Sequence, residues 1–125
     1  MGLFSWLFPK AEDRIKKAKR LFEDGRFAEA RLEVIEVEHE EAKELVAQAE
    51  KALVRINLEK AIQRARSGDL EQYERHVVLA ESFHDGTQDE LFQTTQTQFE
   101  TLQEEQAVEL SWESLDSAAA RRERL

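Results

Sequence analysis

Three histidines, His39, His76 and His84, are the side chains of this sequence best suited to binding a metal or moving a proton. Carboxylates stand near them in the sequence: Glu38, Glu40, Glu81 and Asp85. Two histidines on one helix chelate a metal when they are one turn apart, but His76 and His84 are eight residues apart, which is two turns. We therefore expect histidines that are solvated or that cap a helix, and we predict no metal site.

No other combination of residues indicates catalysis. The chain has no cysteine, so it has no disulfide, no thiolate ligand and no cysteine nucleophile. It also lacks a glycine-rich phosphate loop, a serine nucleophile elbow and a histidine placed to activate a nucleophile. We predict a protein that is not an enzyme and needs no cofactor.

Charge limits the classes of partner. The 18 basic residues stand against 27 acidic ones, a formal charge of −9, so the surface as a whole repels phosphates and we predict no nucleic-acid partner. The acidic runs at 36–41 and 100–109 are interpreted as solvated helix faces, with recruitment of a basic partner as the alternative. All apolar stretches are shorter than the roughly 20 residues that a membrane-spanning helix needs. The absence of cysteine is compatible with a reducing compartment, and we predict a cytoplasmic protein.

The first nine residues, here called the N-terminal wedge, are rich in large apolar side chains. Residues 1–26 carry seven basic and four acidic side chains, a charge of +3, whereas the rest of the chain carries −12. An apolar segment beside lysine and arginine is typical of a surface that lies on a membrane or docks in a partner's groove. Three interpretations stay open: the wedge caps the core, docks on a partner or a second copy, or contacts a membrane.

The predicted partner-binding residues come from three parts of the chain. The aromatic residues of the wedge are Phe4, Trp6 and Phe8. The basic positions expected to be exposed, where they suit an acidic partner, are Lys16, Lys17, Arg20, Arg55 and Arg64. Trp112 is a lone large aromatic among serine and glutamate, and we interpret it either as a docking anchor or as a side chain folded onto the last helix.

Glycine and proline are scarce enough to mark the boundaries of the elements. Pro9, Gly25, Gly68 and Gly86 divide the chain into pieces of helical length, and apolar residues recur every three or four positions within them. The predicted helices cover about 9–24, 27–37, 40–67, 70–84 and 87–110, followed by a short or frayed helix in 111–125. On the fifth helix, residues 93–98 are expected mostly to face water, and the residues expected to be buried are Leu91, Phe92, Phe99, Leu102 and Val108.

An internal repeat spans the first four predicted helices. Gly25 and Gly68 are 43 residues apart, and aligning them places Ala18 on Ala61. The other aligned pairs are Val34 with Val77, Ile35 with Val78, and Val37 with Ala80. Both units therefore consist of a helix, a glycine turn and a second helix.

This pattern resembles the tetratricopeptide repeat (TPR), in which a small residue after the glycine turn lets two helices pack closely. The residues of the first unit that match are Ala18, Leu21, Gly25, Phe27, Ala30 and Val34. The second unit departs from the pattern, with Tyr73 at the position of Ala30. The resemblance implies an all-α fold of consecutive antiparallel helical hairpins with five to six helices: two TPR-like hairpins in 10–86, a capping helix in 87–110 and a helix or tail in 111–125.

Proteins of the TPR class generally act as scaffolds that hold a peptide or a protein surface in a concave groove. The resemblance therefore implies a non-enzymatic module for protein–protein interaction. Two alternatives remain: a peripheral membrane adaptor that uses the wedge and the basic first helix, and a small acidic chaperone of the secretion type that shields an apolar segment of a client. Homo-oligomerisation also stays open, because an apolar wedge and long helices both suit a dimer.

Overall fold

The computed structural model of the chain describes the backbone of residues 10–123 and the side chains of residues 10–112. The N-terminal wedge, with Phe4, Trp6 and Phe8, lies outside the described residues. Within the described range the chain is all-helical, as predicted, and the helices are α1 (Ala11–Glu23), α2 (Phe27–Val34), α3 (Glu40–Arg66), α4 (Leu70–Ser82) and α5 (Asp89–Glu123).

The turn between α1 and α2 is closed by a Schellman motif. The amide of Arg26 donates to the carbonyl of Leu21 at 2.8 Å, and the amide of Gly25 donates to the carbonyl of Phe22 at 3.0 Å. Gly25 has a φ of 77°, in the left-handed region that a residue with a Cβ adopts at a cost. The predicted glycine turn is confirmed here, because these bonds satisfy the carbonyls that the end of α1 leaves open.

The turn between α3 and α4 repeats this geometry 43 residues later. The amide of Asp69 donates to the carbonyl of Arg64 at 2.9 Å, and the amide of Gly68 donates to the carbonyl of Ala65 at 3.0 Å. Gly68 has a φ of 82°. The Asp69 side chain then accepts a hydrogen bond from the amide of Gln72 at 3.1 Å and caps the start of α4. The sequence repeat is therefore also a repeat of turn geometry.

Helix α3 is the central element, because it contacts α1, α2, α4 and α5. Its first half belongs to one apolar cluster, whose buried members are Ile15, Ala18, Ala30, Val34 and Ala42. Its second half belongs to another cluster, whose buried members are Val54, Leu58 and Ala80, with Val77, Phe83 and Phe92 packed against them. A helix of 27 residues is about 40 Å long, so it can serve two clusters side by side.

Helix boundaries differ from the predictions in two places. The second helix ends at Val34, three residues earlier than expected. Residues 111–123, expected to form a separate short helix, continue α5 to Glu123 without a break. The reason is that the sequence from Thr87 to Leu125 contains no glycine or proline that would end the helix.

Two expectations about burial on α5 are wrong. Val108, expected in the core, is 56% exposed, because α5 runs past the end of α3 before it reaches this residue. Leu91, also expected in the core, is 36% exposed. Residues 93–98 are mostly exposed, as expected, and Thr95 is the one buried residue among them. Its hydroxyl donates to the carbonyl of Leu91 at 2.9 Å, which satisfies the polar group inside the helix and leaves the methyl group free to pack.

Candidate functional site

The first candidate site lies where α5 packs against α3 and α4. The ring of Tyr73, on α4, stacks on the ring of Phe99, on α5, with centroids 3.9 Å apart and planes 7° apart. Leu58 of α3 is buried near this stack. Phe92 packs against the cluster that contains Leu58, and it precedes Phe99 by about two turns of α5. An open channel lies between α4 and α5 beside this aromatic stack.

This channel, here called the α4/α5 cleft, has a volume of about 440 Å³. Its apolar lining consists of Leu58, Tyr73, Val77, Phe92 and Phe99. Its polar lining consists of Glu81, Thr95, Gln96, Glu100 and Gln103. An apolar floor with a few polar groups around it is the usual form of a binding site for a side chain or a small ligand.

The charge at the edge of the α4/α5 cleft is negative. Glu81 on α4 and Glu100 on α5 are both exposed and both line it. Burial raises the pKa of the Tyr73 phenol, and the nearby carboxylates of Glu100 and Glu74 raise it further. Tyr73 therefore stays neutral at physiological pH, and its hydroxyl is available as a donor and an acceptor beside two carboxylates.

A second cleft, of about 350 Å³, lies on the other side of α5, against α3. It shares Leu58 and Thr95 with the first cleft, but its edge carries the guanidinium groups of Arg55 and Arg66. Helix α5 thus separates the α4/α5 cleft, which has glutamates at its edge, from the second cleft, which has two arginines at its edge. It does not fill the surface left by the first four helices.

The basic positions predicted to bind a partner are exposed but do not form one patch. Lys16, Lys17 and Arg20 lie on α1 at one end of the molecule, and Lys17 pairs with Glu33 at 3.5 Å. Arg55 lies at the second cleft, whereas Arg64 is exposed near His76 of α4. Their role in binding an acidic partner remains a prediction.

His39 caps a helix, as expected, whereas His76 is half-buried and forms a hydrogen bond between two helices. His39 caps α3, because its Nδ1 accepts a hydrogen bond from the amide of Glu41 at 3.1 Å. His76 pairs through Nδ1 with the side-chain oxygen of Asn57 at 3.1 Å. Within the residues whose side chains are described, no group of three carboxylates or histidines is placed to hold a metal ion.

His84 lies in the loop that leads into α5. Its Nδ1 is 3.0 Å from the Gln88 side-chain oxygen, and its Nε2 is 2.8 Å from an oxygen of Asp89. The hydrogen bond with Gln88 raises the pKa of His84, and Asp89 and Asp85 raise it further. The amide of Gly86 also donates to Nδ1, at 3.4 Å, so the imidazole links the loop to the first residues of α5.

Arg31 connects the two apolar clusters. Its Nε donates to a carboxylate oxygen of Glu50 at 2.9 Å, and its guanidinium carbon lies 5.3 Å from the ring centroid of Phe83. Arg31 is on α2 and Phe83 caps the end of α4, so this cation–π contact joins the first helix pair to the second. Arg31 was not among the predicted site residues, because nothing in its local sequence indicates a partner 52 residues away.

Two further residues of the candidate site were not predicted from the sequence. Phe99 is predicted only as a core residue of the fifth helix, and Tyr73 only as a departure from the TPR pattern, because the stacking of the two rings depends on how α4 and α5 lie relative to each other. The departure of Tyr73 from the small residue of the TPR pattern was the available signal. Trp112, the predicted docking anchor, is 63% exposed and does not fold onto the described part of the molecule.

No family model, no curated protein and no solved structure matches this chain. None of the helices in the described part of the chain is both long enough and apolar enough to cross a membrane.

Proposed function

We propose that the chain is a non-enzymatic protein–protein interaction module of the cytoplasm, built from TPR-like helical hairpins, that binds a peptide in the α4/α5 cleft. The observation that carries this proposal is the cleft itself: an apolar floor, an aromatic wall and two carboxylates at its edge, left open by the chain's own fifth helix.

Contacts within each helix pair support the hairpin arrangement. In the first pair, Phe22 contacts Phe27 near the turn, with ring centroids 4.9 Å apart, and Lys17 reaches Glu33 farther from it. Residue numbers thus fall along α1 as they rise along α2, which is the order of an antiparallel pair. The second pair has the same order, because Asn57 contacts His76 and Val54 lies in one cluster with Ala80.

The chemistry of the cleft favours a particular class of peptide. Glu81 and Glu100 attract a lysine or arginine, and the apolar floor accepts an aliphatic or aromatic side chain. A peptide with one basic residue near one large apolar residue satisfies both. An acidic peptide is repelled by this cleft, so the acidic partner predicted from the basic residues would have to bind elsewhere.

Peptide selection tests the proposal. A random peptide library displayed on phage is selected against the full chain, and the affinities of the selected peptides are measured by fluorescence anisotropy. We expect a consensus that combines a basic and a large apolar residue. The double variant Glu81→Lys/Glu100→Lys should then weaken binding at least about tenfold, which corresponds to about 1.4 kcal/mol.

The matched control is the double variant Glu36→Lys/Glu44→Lys, which makes the same total charge change at two exposed residues that do not line the α4/α5 cleft. Its effect should stay within about twofold. Equal losses in the two double variants would show a nonspecific charge effect and would contradict a site in the cleft. A selection that yields no peptide at all would contradict the function itself.

The exposed amines and guanidinium of α1 support a second candidate, a peripheral membrane adaptor. Lys16 and Arg20 are one turn apart and exposed, and the apolar wedge directly precedes this helix in the sequence. This function predicts that the chain co-sediments with vesicles containing phosphatidylserine and is released by salt. The variant Trp6→Ala/Phe8→Ala should lose this binding, and binding that persists in the variant would contradict the role of the wedge.

A further inference from the structure

The last part of α5 extends beyond the rest of the described molecule. The side-chain nitrogen of Gln106 donates to the carbonyl of Ala65, at the end of α3, at 3.3 Å. All residues from Ala107 to Trp112 are exposed, and the helix continues to Glu123. We call residues 107–123 the distal segment of α5. A helix of this length is marginal in water when nothing packs against it.

The distal segment carries apolar residues at the spacing of a coiled coil. Val108 and Trp112 are four residues apart and lie with Thr101 and Glu105 along one face of α5. They are 56% and 63% exposed. The sequence continues the spacing of four and three with Leu115 and Ala119. Alternating steps of three and four are the pattern of a two-helix seam, and this seam has no partner among the described residues.

The charges of α5 indicate what fits this seam. Acidic residues occupy its middle, at Glu100, Glu104, Glu105, Glu109, Glu113 and Asp116, whereas Arg121 and Arg122 stand near its end. A parallel pair of these helices places Glu105 beside Glu105 and Arg122 beside Arg122. An antiparallel pair instead brings the acidic part of one helix to the basic end of the other.

From these features we infer that the distal segment is a self-association surface whose occupant is the distal segment of a second copy, in antiparallel orientation. In one register of this antiparallel pair, apolar residues lie opposite apolar residues and an acidic residue lies opposite a basic one. It sets Val108 against Ala119, Trp112 against Leu115 and Glu105 against Arg122, and the two-fold axis repeats each pair. In the same register Glu109 approaches Asp116, and this repulsion keeps the dimer weak.

Sedimentation equilibrium on the full chain tests the inference. We expect a monomer at about 1 µM and a mass near twice that of the monomer at about 500 µM. Trp112→Glu should keep the chain monomeric at the higher concentration. Leu32→Glu is the matched control, because Leu32 is 67% exposed on α2, far along the chain from the seam, and should leave the dimer unchanged.

A charge exchange tests the orientation. Arg122→Glu should weaken dimerisation at least about fivefold, and the combined variant Glu105→Arg/Arg122→Glu should restore it, because the pair is remade with reversed signs. Circular dichroism verifies that each variant keeps the helix content of the parent. A chain that stays monomeric at 500 µM would overturn the inference, as would a dimer that survives Trp112→Glu. A combined variant no stronger than Arg122→Glu would overturn the antiparallel register.

Discussion

The two helix pairs share the same turn and differ in what holds them together. Both turns use a glycine at positive φ and the same hydrogen bonds, 43 residues apart. After the first turn comes Ala30, which is 2% exposed and lets α2 pack directly on α1. After the second comes Tyr73, which is too large for that role and instead stacks on Phe99 of α5. The second pair is therefore completed by the fifth helix.

The aromatic contacts follow the same division. Phe27 packs edge-to-face on Phe22 within the first pair, whereas Leu70, at the equivalent position of the second pair, is 48% exposed. The first pair packs around Ala30 together with Ala42 of α3, and the second leaves a cleft at its junction with α5. The comparison teaches that the same turn can be followed by a small residue buried within its own helix pair or by a large ring that stacks on a further helix.

The largest expected effect comes from Leu58, the buried residue on which α4 and α5 meet. Leu58→Ala should lower the free energy of unfolding by about 2–5 kcal/mol, because it removes packing from the second cluster and leaves a cavity there. Urea denaturation followed by circular dichroism measures this. Lys51→Ala, at an exposed position of the same helix, is the control and should change stability by less than about 0.5 kcal/mol.

Substitutions at the two equivalent positions, Ala30 and Tyr73, should lower the free energy of unfolding by different amounts. Ala30→Tyr should cost about 3 kcal/mol, because the ring has no space between α1 and α2. Tyr73→Ala should cost less, about 1–2 kcal/mol, since its ring is half-buried and loses mainly the stack on Phe99. Denaturant titration of both variants checks the order. Equal costs would mean that the two positions are packed alike.

The shared turn should respond equally in both pairs. Gly25→Ala and Gly68→Ala should each cost about 1–2 kcal/mol, because a Cβ is strained at positive φ although neither site is crowded. Thermal unfolding of the two single variants measures this. A cost at one glycine more than twice that at the other would contradict the equivalence of the two turns.

The smallest effect concerns pH and has opposite signs at two histidines. Burial lowers the pKa of His76, and Lys60 and Arg64 lower it further. The stability that His76 contributes is therefore present above the unfolded-state pKa near 6.5 and is lost as pH falls through the lower folded-state pKa. The pKa of His84 is raised, so its contribution is present below the unfolded value and lost as pH rises through the folded value. Nuclear magnetic resonance titration between pH 5 and 8 should give a higher pKa for His84 than for His76.

Local patterns made most of the fold predictable. The three-and-four spacing of apolar residues gave the helical class, and Gly25, Gly68 and Gly86 marked turns because positive φ is a property of single residues. The end of α5 was misjudged because no single residue there acts as a stop signal. The burial of Thr95 was missed because it depends on a hydrogen bond to the residue's own helix.

The candidate site was much harder to predict, because it depends on distances between helices. The α4/α5 cleft depends on where α5 packs against the α3/α4 pair, which the spacing within α5 does not specify. The basic residues singled out from the sequence were identified by exposure alone. The structure places them at separate ends of the molecule, since Lys16 lies on α1 and Arg55 on the second half of α3.

The most direct test of the account is amide hydrogen exchange in the variant Phe99→Ala, compared with the parent chain. If the second pair is completed by α5, the amides of α4 and of α5 up to Gln106 should exchange faster, whereas those of α1 and α2 should exchange at unchanged rates. Unchanged protection in α4 would contradict the account, because the second pair would then close without α5. An equal loss in α1 and α2 would contradict it too, because the two pairs would then unfold as one unit.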